Sequence, residues 1–213
     1  ILAAIGQLQL SLGQPSEATE SLRAAAGLLD RAAYPDVAAR VLTALAHTLG
    51  GQNRYAEAVD SYEEALVVLR DVEDVNPLHT ADGLRSLGET HEAQGQLPEA
   101  ARAYRRALNI LERAEAPRQM RDTLHLLARV TGAMGDQSAV QLYEQTLELT
   151  REIGDGREVG VVLRELGDVH REAERIGPAI QFYQAALEHQ PAGEASDERV
   201  STLRSLGRAY ARQ

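Results

Sequence analysis

Small and bulky apolar residues recur along this chain at offsets of four and three, which places them on one face of a helix. Ala58, Tyr62 and Ala65 form one such triplet, and Ala100, Tyr104 and Ala107 another. Ala139, Tyr143 and Thr146 follow, then Ala179, Tyr183 and Ala186, with Ala18, Leu22 and Ala25 as the first of the series. A second series runs in parallel. Residues 84–88 and 203–207 both read LRSLG, and residues 163–167 read LRELG. Their anchor positions, Leu45, Leu87, Leu127, Leu166 and Leu206, recur every 39–42 residues, and Ile5 extends the series backwards. A small residue follows each anchor: Gly6, Ala46, Gly88, Ala128, Gly167 and Gly207.

Helix breakers separate the two series, at Gly13-Gln-Pro15, Gly50-Gly51-Gln-Asn53, Gly95, Gly135-Asp136 and Gly177-Pro178. Others separate successive units: Pro35, Pro77, Pro117, Gly154-Asp-Gly156 and residues 191–193, which read PAG. Gly and Pro in such places end helices and start turns. The unit is therefore helix, tight turn, helix, turn. It predicts an all-α chain of five helix-turn-helix repeats, about 1–33, 34–74, 75–116, 117–155 and 156–195, plus one further helix at 196–213. All six form a single array. A hairpin cannot bury its own apolar face, so stacked neighbours must make a continuous core. The small residues are expected to let paired helices approach, Gly88 facing Ala100 and Gly167 facing Ala179, with the tyrosines filling the space between pairs.

Composition narrows the picture. Hydrophobic residues make up 44% of the 213 positions, but aromatics only 4%, so the core must rest on Leu, Ala and Val. All 22 basic residues are Arg, a bias that suits a G/C-rich, bacterial genome. The net charge of −10 argues against a grip on nucleic acid, which needs clustered cations. Without Cys there is neither a disulfide framework nor a thiolate metal site. No apolar run is long enough to suggest a membrane span, and no signal-peptide pattern opens the chain, so a cytoplasmic setting is expected. Because Ile1 lies within a helical pattern and is not Met, the chain reads as a segment of a longer protein.

The motif Leu84-x-x-Leu87-Gly88-x-x-His91-x-x-x-Gly95-x-Leu97-x-x-Ala100-x-x-x-Tyr104-x-x-Ala107 resembles the tetratricopeptide repeat, as does its counterpart from Leu163 to Ala186. Two departures stand out. The family's first-position Trp is Leu42, Leu84, Leu124, Leu163 and Leu203 here, and its mid-helix aromatic is Leu49, His91, Thr131, His170 and Tyr210. The period also exceeds the family's common length of about 34 residues. Long repeats of this kind resemble kinesin light chains, bacterial peptide-receptor regulators, and the carboxy-terminal arrays of SARP-type antibiotic-pathway activators carrying an NB-ARC-type ATPase domain. The wording of residues 151–189 looks most like the last.

The resemblance implies a right-handed α-α superhelix whose first helices line a concave, partner-binding face. Two rows would face that groove: Thr43, Arg85, His125, Arg164 and Arg204, then His47, Glu89, Arg129, Asp168 and Arg208. An Arg-rich groove would suit a ligand with carboxylates. Against this, Arg85 with Glu89 and Arg164 with Asp168 are i,i+4 pairs, and such local pairing is the expected state mid-array. Arg199, Arg204, Arg208 and Arg212 of the last helix have no acid four residues on, which makes that end the better basic patch.

No set of residues suggests catalysis. His91 and His170 fall on the repeat's packing site, and neither His47 nor His125 has a second His four residues away, as a helical metal pair needs. No phosphate-loop pattern exists, and no cofactor is expected. Acids such as Glu63-Glu64, Asp71, Glu73-Asp74, Glu144, Glu148 and Glu152 read as a solvated convex face. The expected function is a non-catalytic protein- or peptide-binding module, the sensing or regulatory array of a bacterial transcriptional activator. A scaffold or adaptor role is the alternative. The partners left open are an acidic protein or peptide, a neighbouring domain of the same chain, and a second copy.

Overall fold

The computed structural model describes residues 1–70, 76–190 and 196–212. Among them eleven α-helices follow one another, with no strand. Five hairpins form: α1 (Leu2–Ser11) with α2 (Pro15–Leu28), α3 (Pro35–Gly51) with α4 (Tyr55–Arg70), α5 (Pro77–Ala93) with α6 (Leu97–Arg113), α7 (Pro117–Ala133) with α8 (Ala139–Ile153), and α9 (Gly156–Glu172) with α10 (Ile176–Glu188). Then comes α11 (Asp197–Tyr210). The expected turn at 191–193 and the acids Asp71, Glu73 and Asp74 lie outside the described residues. Contacts divide the chain into two compact units, Ile1–Glu115 with α1–α6 and Ala116–Gln213 with α7–α11. In the first unit each helix packs on the next, and α3 also touches α1 and α5. In the second, α9 also touches α11.

All five hairpins close with one turn. Gly13, Asn53, Gly95, Gly135 and Glu174 take left-handed φ values of 71°, 60°, 74°, 72° and 59°. The next residue's N–H bonds back to a carbonyl of the last helical turn: Gln14 to Gln9, Arg54 to Leu49, Gln96 to His91, Asp136 to Thr131 and Arg175 to His170, at 2.9–3.1 Å. This closure satisfies carbonyls that the helix end leaves free. Two expected turns shift as a result. Gly50 and Gly51 complete α3, and the left-handed position falls on Asn53. Gly177 and Pro178 belong to the first turn of α10, where Pro forfeits no helical N–H bond, and Glu174 makes the turn. Pro15, Pro35, Pro77 and Pro117 open their helices at the position that favours Pro.

The atoms nearest the repeated glycines belong to the bulky residue of the facing helix. A Cβ added at Gly88 would lie 2.5 Å from Cε1 of Tyr104, and one at Gly167 2.5 Å from Cε1 of Tyr183. At Gly6 it would lie 2.7 Å from Cγ of Leu22. The missing side chain therefore admits the bulky residue of the same hairpin, and at Gly6 the carbonyl of Ala18 also comes to 3.3 Å. Ala100, Tyr104 and Ala107 are each fully buried, as are Ala179, Tyr183 and Ala186. The tyrosines also reach the next layer. Tyr62 clusters with Ala46 of its own hairpin and Leu87 of the next, and Tyr183 with Ala209 on α11. Leu42, Leu84 and Leu163, at the family's Trp position, are 1–3% exposed. Each contributes about 1.5–3 kcal/mol by burial.

Candidate partner-binding surface

In the first unit, the proposed rows place Thr43 and His47 on α3 and Arg85 and Glu89 on α5. Thr43 and His47 line a cleft of about 300 Å³ with Gln7 of α1, Asp36 and Arg40 of α3, and His79, Asp82 and Ser86 of α5. Ala39, Ala44, Leu69 and Gly83 supply its small and apolar surface. His47 is not free to act alone. Its Nδ1 lies 2.9 Å from the Tyr62 hydroxyl, and the two rings meet edge to face at 5.4 Å. Burial lowers its pKa, with Glu89 opposing and Arg85 adding to the shift, so the ring is neutral at pH 7. Arg85 forms its ion pair with Asp82 at 3.5 Å, one turn back along α5.

The second unit holds His125 and Arg129 on α7, Arg164 and Asp168 on α9, and Arg204 and Arg208 on α11. Here the rows are largely consumed by internal contacts. His125 sits between Glu158 and Glu165, at 3.3 and 2.5 Å. Burial alone would depress its pKa, but the hydrogen bonds and charges of the two glutamates push it up to about 9. Burial likewise works against the charged form of Glu165, yet His125 and Arg164 hold its pKa below the usual carboxylate range. Arg164 donates to Asp168 at 3.0 Å and to Glu165 at 3.2 Å. Asp168 also accepts from the Tyr183 hydroxyl at 2.8 Å and from Ser205 of α11 at 3.3 Å. The sequence rows showed Arg164 with Asp168 but missed Glu158, Glu165, the Tyr183 hydroxyl, and Arg171, which lies 3.5 Å from Asp168. Arg171, three residues after Asp168, carried a local signal, whereas Glu165 pairs with His125, 40 residues away.

Two of the four triplet tyrosines project their hydroxyls to the second row, Tyr62 to His47 and Tyr183 to Asp168, whereas Tyr104 donates to Glu92 at 3.2 Å. The row is thus partly an anchor for the hairpin itself. In α11, Arg199 donates to the carbonyls of Leu187 and Gln190, at 3.2 and 2.9 Å, and so caps the end of α10 instead of joining a basic patch. Arg204, Arg208 and Arg212 are exposed. Glu63, Glu144, Glu148 and Glu152 are exposed on the second helices. His170 is buried and stacks on Phe182 at 5.1 Å, and His91 is half-buried. Among the described residues, no three potential metal ligands converge, and no helix is long and apolar enough to cross a membrane.

The tetratricopeptide-repeat family profile matches residues 36–113 and 119–192. The chain belongs to the tetratricopeptide-repeat family. Solved structures agree with the all-α solenoid architecture. BtubC (BKLC) from P. vanneervenii is 19% identical with a TM-score of 0.75, over 96% of this chain and 84% of that one. A signal transduction ATPase with numerous domains and a tetratricopeptide repeat sensor, from Pyrococcus horikoshii, is 13% identical with a TM-score of 0.72, over 99% of this chain and 31% of that one. The Rap conjugation gene regulator of plasmid pLS20, solved with the Phr* peptide, is 14% identical with a TM-score of 0.62, over 85% of this chain and 50% of that one. At these identities the likeness concerns the fold. No curated protein matches the sequence.

Proposed function

We propose that this tetratricopeptide array is a non-catalytic protein- or peptide-binding module, serving as the sensing part of a bacterial transcriptional regulator of the antibiotic-pathway activator type. The observation that carries the reading is the cleft between α1, α3 and α5, into which Thr43 and His47 of the proposed rows fall together. Its volume lies at the lower end of the range of about 300–1,000 Å³ in which proteins hold small ligands or side chains. Its lining mixes apolar surface with a few convergent polar groups, as such sites require. The structural neighbours support the regulatory part: one is a tetratricopeptide repeat sensor within a signalling ATPase, another a gene regulator holding a peptide. In this reading an occupied cleft changes how α1, α3 and α5 pack, and the effector domains of the parent protein respond.

The test is capture of a partner from a lysate of the source cell by the wild-type chain, by Thr43→Trp, which fills the cleft, and by Glu148→Ala, an exposed change on α8. Wild type and Glu148→Ala are expected to retain the same partner and Thr43→Trp to lose it, with far-ultraviolet circular dichroism unchanged. In the parent regulator, Thr43→Trp is expected to alter reporter transcription. Equal capture by all three proteins would refute the cleft.

A further inference from the structure

The second helices of the second unit leave a groove of about 710 Å³ between them. Leu147 of α8, Leu163 and Leu166 of α9, and Phe182 and Ala185 of α10 give it an apolar lining. Leu147, Leu163 and Leu166 belong to one buried core cluster, and Phe182 and Ala185 pack against it. The half-buried Phe182 ring is also held by His170, stacked on it at 5.1 Å. Glu144, Glu148 and Glu152 line the same groove, with Arg151 as the base among its lining residues. The three acids are exposed and recur at i, i+4 and i+8, so they form one ridge of α8. That ridge works against the helix that carries it. Like charges four residues apart destabilise a helix, and Glu152 lies in the last turn, at the negative end of the helix dipole.

The first unit has a groove in the same place, between α4 and α6. There Glu63, Leu66, Arg70 and Leu84 hold the repeat positions of Glu144, Leu147, Arg151 and Leu163. Two positions differ in charge: Val67 stands where the second unit has Glu148, and Arg106 where it has Ala185. The groove's shape therefore recurs with the repeat, while among the described residues its excess of acid is found in the second unit.

We propose that the groove between α8 and α10 docks one basic amphipathic helix of a protein partner. The apolar stripe of that helix packs on Leu147, Phe182 and Ala185. Arginines or lysines beside the stripe, one helical turn apart, meet Glu144, Glu148 and Glu152 at the same spacing. Charge complementarity selects this occupant over a second copy. Two such grooves face to face would set one acidic ridge against the other, and like charges there are repulsive. Glu148 and the groove lie in the second unit, so changes here bear on this partner and not on the one held by the first-unit cleft.

The probe is a short synthetic peptide, crosslinked to be helical, with leucines along one stripe and arginines one turn apart beside it, labelled for fluorescence anisotropy. Saturable one-to-one binding to the full 213-residue chain is expected. Ala185→Arg, which copies Arg106 of the first unit into the groove, should weaken it at least tenfold with thermal melting unchanged. Glu144→Gln, Glu148→Gln and Glu152→Gln together should do the same, with melting unchanged or higher because a repulsive ridge is removed. Removing equal charge from exposed positions on α2 and α4, with Glu17→Gln, Glu20→Gln and Asp60→Asn, should leave most of the affinity, and Thr43→Trp all of it. A peptide with serine for each leucine should bind at least tenfold more weakly, which separates docking from bare charge attraction. No binding at millimolar peptide, equal weakening by the two acid triples, indifference to Ala185→Arg or to the leucines, or a concentration-dependent dimer abolished by Ala185→Arg would each overturn the proposal.

Discussion

Gly167→Ala and Gly207→Ala make the same change in the same word, and the structure assigns them opposite signs. In a helix interior, Gly→Ala stabilises by roughly 0.5–1 kcal/mol through chain entropy. At Gly207 nothing opposes that gain, since the new methyl meets no atom within 4 Å. At Gly167 the methyl would lie 2.5, 2.6 and 3.1 Å from Cε1, Cδ1 and Cζ of Tyr183. The ring cannot swing aside. It is fully buried, clusters with Ala179, Ile180 and Ala209, and has its hydroxyl held by Asp168 at 2.8 Å and Arg171 at 3.3 Å. Overpacking of this kind costs about 1–3 kcal/mol. The two variants should therefore differ in stability by about 1–3 kcal/mol, with Gly207→Ala at or above wild type and Gly167→Ala below it. Urea unfolding with an unchanged slope would measure the gap, and melting should show roughly 2–4 °C per kcal/mol for a chain of this size. If Gly167→Ala proved as stabilising as Gly207→Ala, the tyrosine does not rest on that glycine and the packing scheme fails.

Two further outcomes follow from the same structure. The folded pKa of His125 is raised from 6.5 to about 9, so its interactions with Glu158 and Glu165 stabilise the folded chain fully below pH 6.5. That contribution fades as pH rises through about 9; melting recorded from pH 6 to 10 should fall in wild type and flatten in His125→Gln, and parallel curves would contradict the buried pair. Glu174 holds a left-handed φ of 59° where three of the other four hairpin turns have Gly. Glu174→Gly should stabilise by about 1 kcal/mol, because a side chain in that conformation costs roughly 1–2 kcal/mol; an unchanged urea midpoint would refute the strain.

Much of the fold was legible because helical hairpins are specified locally. The 39–42 residue period, the Ala-Tyr-Ala stripes and the opening prolines each act within a few residues of themselves. Where turn chemistry was subtle, local reading slipped. Asn53, the last residue of one expected breaker, and Glu174, three residues before another, take the left-handed positions. That the repeated glycine also makes room for the tyrosine ring was not legible locally. Gly88 and Tyr104 are 16 residues apart, and which residue of the second helix covers the notch depends on the angle at which the helices cross.

The binding rows divide in the same way. Sequence spacing alone determined that Thr43 and His47 share a helix face, that Arg164 can reach Asp168, and that the last helix is rich in arginine. Only tertiary structure decided what those side chains do. It brought Glu158 and Glu165 around His125, sent Arg199 to the end of α10, gave Asp168 to Tyr183, and left Gly207 open beside Arg204 and Arg208. The physical reason is range. Helix, turn and stripe are written in contacts a few residues apart, whereas the state of a charged side chain depends on every group within a few ångströms, whichever layer carries it.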